Sequence, residues 1–170
     1  MQTALLWAAS GTGFTFLMTT LGAASVFLFR KRNSMAIQRA FLGFAAGVMI
    51  AASVWSLLIP AIERAEEAGQ VGWIPAAGGF VIGVAFLMVL HQLLPHLHPG
   101  ESKPEGLPSK WDRPTLLFTA VTLHNIPEGM SVGLLFAMAA QNGGDPAMFG
   151  MAVALAIGIG IQNVPEGAAV

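Results

Sequence analysis

The stretch "HNIPEGMSV" at His124–Val132 returns 38 residues later as "QNVPEGAAV" at Gln162–Val170. Both copies keep the pattern N-x-P-E-G-x-x-V, and both stand inside long apolar runs. A proline inside a helix removes a backbone donor, and a carboxylate deep in an apolar span costs at least about 2.5 kcal/mol on insertion scales. A chain that places both in one run, then repeats them in the next, is building something there.

The runs themselves decide the solvent. Of 170 residues, 55% are hydrophobic and 10% charged, and the mean hydropathy is +0.68. Soluble domains carry about 25% charged residues. Five stretches, about 3–29, 38–62, 72–94, 114–140 and 147–170, exceed the roughly 20 apolar residues that span a bilayer core. They predict an all-α fold, a polytopic membrane helix bundle of five transmembrane helices, as one domain over 1–170. A cleaved leader does not fit the first run, because Arg30, Lys31 and Arg32 follow it instead of preceding it. With no cysteine in the chain, disulfides and thiolate metal sites are excluded.

Charge sorted by loop gives an orientation. Arg30, Lys31, Arg32 and Arg39 lie between the first two runs, and Lys103, Lys110 and Arg113 between the third and fourth. Arg64 alone lies on the other side, among Glu63, Glu66 and Glu67. The positive-inside rule then places 30–39 and 95–113 in the cytoplasm and the N-terminus outside. The 95–113 loop, rich in Pro and charge, is expected to be mobile. The last run stops at Val170 without a basic anchor, which points to a fragment whose further helices are missing.

Only two of the nine acidic residues, Glu128 and Glu166, fall deep inside apolar runs. An intramembrane ionisable residue is a functional-site hypothesis by default. His124 and Glu128 are i and i+4 and share a helix face with Asn125, and Gln162, Asn163 and Glu166 repeat the arrangement. Pro127 and Pro165 free the carbonyls of Leu123 and Ile161. Gly129 and Gly167 are expected to let the two helices approach. Imidazole, carboxylate, amide and bare carbonyl together suit a borderline divalent cation such as zinc, and also manganese, iron or cadmium.

Paired "HNxPEG" and "QNxPEG" on consecutive helices resemble the ZIP (Zrt/Irt-like) family of divalent metal transporters, in its bacterial GufA-like branch. "GVMIAASVWSLLIPAIE" and "LLPHLHPG" resemble that branch too. The resemblance implies eight helices with both termini outside, of which this chain would be the first five. It also implies a two-metal centre between the fourth and fifth. By motif position His124, Glu128, Gln162 and Glu166 would hold one ion. Asn125 and Asn163, with the glutamates bridging, would help hold a second, and Met49 matches a further family ligand. Many relatives carry His at the place of Gln162, and some carry Asp at the place of Asn163. The family often has a His-bearing loop where His96 and His98 stand, collecting metal after transit. His91, His96 and His98 would equally serve as interfacial polar residues.

The expected function is transport of divalent metal across the cell membrane. Zn2+, or Cd2+, Fe2+ or Mn2+, would be the bound substrate, and no cofactor is expected. Expected partners are metal ions and the lipid bilayer, with a homodimer left open and no nucleic acid. Two other classes compete: a passive cation channel using the same ligands, and an intramembrane metalloenzyme. The chain has no HExxH motif and no serine or cysteine nucleophile paired with His124, so it is not expected to be an enzyme.

Overall fold

The computed structural model describes residues 2–27, 35–98 and 101–168. Arg30, Lys31 and Arg32, on which much of the orientation argument rests, lie outside them. The described residues are helical nearly throughout. Helix α1 spans Gln2–Ala24 and ends in a 3₁₀ turn, Ser25–Phe27. Helix α2, Met35–Ala51, runs through a π-helical segment, Ala52–Leu58, into α3, Ile59–Glu67. Then come α4 (Trp73–Leu93), α5 (Arg113–Gln141) and α6 (Pro146–Ala168). These match the five expected runs to within a few residues at most ends. The second run differs, continuing to Glu67 with its wider turn inside. Pro60 offers no N–H to the carbonyl four residues before it, and a π segment is one way for a helix to absorb such a break.

Sequence chemistry accounts for the helix ends. Asp145 caps α6, its carboxylate accepting from the Ala147 N–H at 3.0 Å, and Pro146 holds the first helical position, where no N–H is missed. Before it, α5 closes with Asn142 N–H to Met138 O (3.0 Å) and Gly144 N–H to Ala139 O (3.0 Å). Gly143 and Gly144 take φ of 70° and 79° in this turn, a conformation that only glycine adopts cheaply.

Among the described residues, four stretches are long and apolar enough to cross a membrane: Gln2–Ala24, Gly43–Glu67, Trp73–Leu93 and Pro146–Ala168. The fifth expected span, α5, has ample length at 29 residues. It misses on apolarity because His124, Asn125, Pro127 and Glu128 interrupt it. The protein is a multi-pass, all-α membrane bundle.

Two compact units divide it: the described residues of Met1–Ser56 with Asn125–Ala169, and those of Leu57–His124. In the first, α6 is the interior helix. Its span is 44% buried, against 17% for α1. It packs on α1 and α2, burying Ala152, Leu155, Ala156 and Ile159. Glycine sets how close α1 comes. A methyl group at Gly22 would stand 2.1 Å from Val164 O, and one at Gly167 would stand 2.1 Å from Thr19 O, so the two backbones touch. This corrects the expectation for the motif glycines. Gly167 serves the approach of α6 to α1, and Gly129 faces open space.

Candidate metal centre

The closeness of α1 and α6 brings three helices to one polar spot within the first unit. From α6 come Gln162 and Asn163, both 0% exposed, and half-buried Glu166 one turn later. From α5 come half-buried Asn125 and Glu128. The Gln162 amide donates from Nε2 to Glu128 Oε1 at 2.6 Å. That bond leaves Gln162 Oε1 buried with no hydrogen-bond partner among the described residues. A buried acceptor without a donor costs about 1–3 kcal/mol, and a cation is one thing that removes the cost.

Asn163 has two ways to place its amide. With nitrogen toward Glu128 it donates to Oε2 at 3.1 Å and to Ile159 O at 3.0 Å, while its oxygen accepts from the Thr19 hydroxyl at 3.1 Å. Both oxygens of Glu128 are then held by amide donors. Turned over, the nitrogen donates to Asn125 Oδ1 at 3.1 Å, and the Asn163 oxygen faces the Glu128 carboxylate and Ile159 carbonyl. Oxygen facing only oxygens is tolerable with a cation among them. The donor set is therefore consistent in two forms: one held together by amide hydrogens, and one that presents amide oxygens.

Thr19 is the residue that sequence reasoning missed. Its hydroxyl reaches Asn125 Oδ1 at 3.2 Å in one arrangement and Asn163 at 3.1 Å in the other. It also donates to Thr15 O at 3.2 Å. The available sign was the polar stripe Thr12, Thr15, Thr19 on an apolar helix, at helical spacing.

Of the other candidate ligands, Met49 on α2 is 43% exposed. His124 precedes Glu128 by one turn of the same helix but falls in the second unit, where its ring lies 6.0 Å from His91 and 5.9 Å from His98. His91, His96 and His98 form one group, their candidate ligand atoms all within 4.8 Å of one another. Described residues of the 95–113 stretch make backbone hydrogen bonds. His96 and Glu105 exchange backbone hydrogen bonds of 3.1 and 2.9 Å, and Leu97 N–H donates to Leu116 O at 3.1 Å.

The first unit of this multi-pass helical membrane protein thus gathers carboxylates and carboxamides at one polar spot. No family model matches the chain, but curated relatives do. Zinc transporter ZIP11 of Homo sapiens is 34% identical over 204 residues, covering 74% of this chain and 59% of that protein. Zinc transporter GufA of Myxococcus xanthus is 36% identical over 143 residues, covering 82% and 54%. Zinc transporter ZIPB of Bordetella bronchiseptica is 37% identical over 136 residues, covering 77% and 43%. The chain spans about half the length of the curated relatives it matches. It is a homologue of the ZIP family of zinc transporters, as the paired motifs led us to expect.

Proposed function

We propose that this chain carries the metal-binding half of a divalent cation transporter, with zinc as its main substrate and cadmium, iron or manganese also accepted. The observation that carries the reading is the pairing of a Glu128 carboxylate held by amide donors with a buried, partnerless Gln162 oxygen. Rotation of the Gln162 and Asn163 amides exchanges hydrogen for oxygen on the side facing Glu128. The same residues can thus close the site around themselves or around an ion. Glu128 and Glu166 together neutralise one divalent charge. His124, one turn before Glu128, Asn125, one residue later, and Met49 complete the ligand set that the resemblance implies. Neutral amides bind weakly, which suits a site that must release its ion. With the basic loops in the cytoplasm, the N-terminus lies outside.

Flux that saturates at low metal concentration separates a carrier from a passive channel. Equilibrium dialysis of the purified chain against zinc, read by elemental analysis, tests the proposal directly. Bound zinc should fall by one equivalent in the Glu128→Gln, Glu166→Gln double variant. Equal zinc in both proteins would remove the centre as the binding place.

A further inference from the structure

The second unit holds a group of side chains that the centre does not use. His91 sits in the last turn of α4, and His96 and His98 follow it. His96 is 0% exposed. Its Nδ1 lies 2.8 Å from Leu94 O, and its Nε2 is buried without a hydrogen-bond partner among the described residues. The carbonyl holds a proton on Nδ1, so in the neutral ring the lone pair is on Nε2, the tautomer in which a histidine binds metal. His91 repeats this, with Nδ1 3.1 Å from Leu87 O. Edge-on ring contacts between His91 and His96 (4.8 Å) and between His96 and His98 (5.1 Å) account for the packing. They do not account for a wholly buried lone pair aimed at neighbours that bring lone pairs of their own.

A fourth ligand type stands beside His96. Glu105 Oε2 is 3.7 Å from His96 Nε2. That is too long for a hydrogen bond. It is close to the separation of two ligands around one ion, because bonds of about 2.1 Å in a tetrahedron put ligand atoms about 3.4 Å apart. The position of Glu105 is built by the backbone. His96 and Glu105 form an antiparallel bridge, and Arg113 donates to Glu101 O at 3.1 Å. Gly106 has φ of 83°, and a methyl group there would stand 2.1 Å from Leu94 O. Only glycine lets the chain fold back so closely over the histidines.

We propose that Glu105 is the fourth ligand of a zinc-class site formed with His91, His96 and His98 and closed by the fold-back at Gly106. A histidine-bearing loop is what the family resemblance implies; the carboxylate and the backbone that delivers it are what the structure adds. Three neutral imidazoles and one carboxylate make a tetrahedral set suited to zinc. The site uses none of the centre's carboxylates and does not depend on the transport reading.

The test uses the full chain in detergent with Glu128→Gln and Glu166→Gln in place, so that the centre's carboxylates are gone. Cobalt(II) alone is titrated in and followed by its visible absorption, which is intense when four-coordinate, and zinc is then added as competitor. This parent should bind one equivalent of cobalt with a four-coordinate spectrum and give it up to one equivalent of zinc. His96→Ala should abolish the spectrum. Glu105→Gln should weaken binding at least tenfold and lower the band intensity as water replaces the carboxylate. Gly106→Val, with Glu105 intact, should weaken it comparably. If the parent binds no cobalt, there is no site outside the centre. If Glu105→Gln leaves affinity and spectrum unchanged, the carboxylate is not a ligand. Either result overturns the proposal.

Discussion

The two motif copies use the same residues and meet different surroundings. In the second copy Gln162 and Asn163 are 0% exposed, and Gly167 is pressed against the backbone of α1. In the first, His124 and Ile126 are exposed, and among the described residues nothing from outside its own helix turn stands within 4 Å of where a methyl group at Gly129 would be. The difference comes from the helices that carry the copies. Interior α6 is locked by glycine contacts along α1, whereas α5 joins the polar spot through its side chains. Repeated sequence therefore does not mean repeated role. The second copy forms a fixed wall, and the first presents Glu128 to it.

The sharpest way to break that comparison is to remove what the wall receives. Glu128→Gln should lower the centre's zinc affinity by more than about 100-fold, because an outer partner alone is worth up to that and Glu128 is proposed to touch the ion. Equilibrium dialysis reads it, and an unchanged affinity would leave the first copy without its assigned part. Next in size are the two glycines. Gly167→Ala forces a methyl group into Thr19 O and should destabilise the bundle by about 1–3 kcal/mol. Gly129→Ala should be neutral or gain up to about 1 kcal/mol from helix propensity. Thermal unfolding in one detergent compares them, and equal shifts would erase the asymmetry. Thr19→Val keeps the shape and removes the hydroxyl that holds the amide pair. We expect a loss in zinc affinity of about 10-fold, at the low end for an orienting contact, with little change in unfolding temperature. The smallest effect should come from Gln162→His. An imidazole in place of an amide shifts preference toward zinc over manganese, read as a change in the ratio of bound metals under competition.

Much of this was legible in the sequence. Apolar runs of spanning length fixed the number and order of the helices, and Asp145–Pro146 and Gly143–Gly144 marked a boundary by their turn chemistry. That Glu128 shares a face with His124, and Glu166 with Gln162, could be read from spacing alone, because i and i+4 positions share a face wherever a helix goes. The π segment could not be read, since Pro60 says that a hydrogen bond is lost and not how the helix absorbs it. Nor could the part played by Thr19, which lies 106 residues from Asn125. Local periodicity carries no information about which helix arrives beside which. His124 gives the same lesson. Spacing sets it one turn before Glu128 and says nothing of the His91 and His98 rings that lie 6.0 and 5.9 Å from it.

The backbone contact between α1 and α6 also has a consequence in time. Helix α6 is made well after α1, and at about 5–20 residues per second the chain between them takes on the order of 10 s to synthesise. Through that interval α1 must wait in lipid without its partner. Its hydroxyls are equipped for the wait. Ser10, Thr12 and Thr20 each donate to the carbonyl four residues earlier, at 2.7, 2.9 and 2.9 Å. Thr15 donates to Thr12 O at 2.9 Å. In hydrocarbon, where no water can satisfy a stray hydroxyl, these self-made bonds let the helix rest alone until α6 emerges. Thr19, which can bond to Thr15 O in the interim, is then already in place to meet the amides when they arrive.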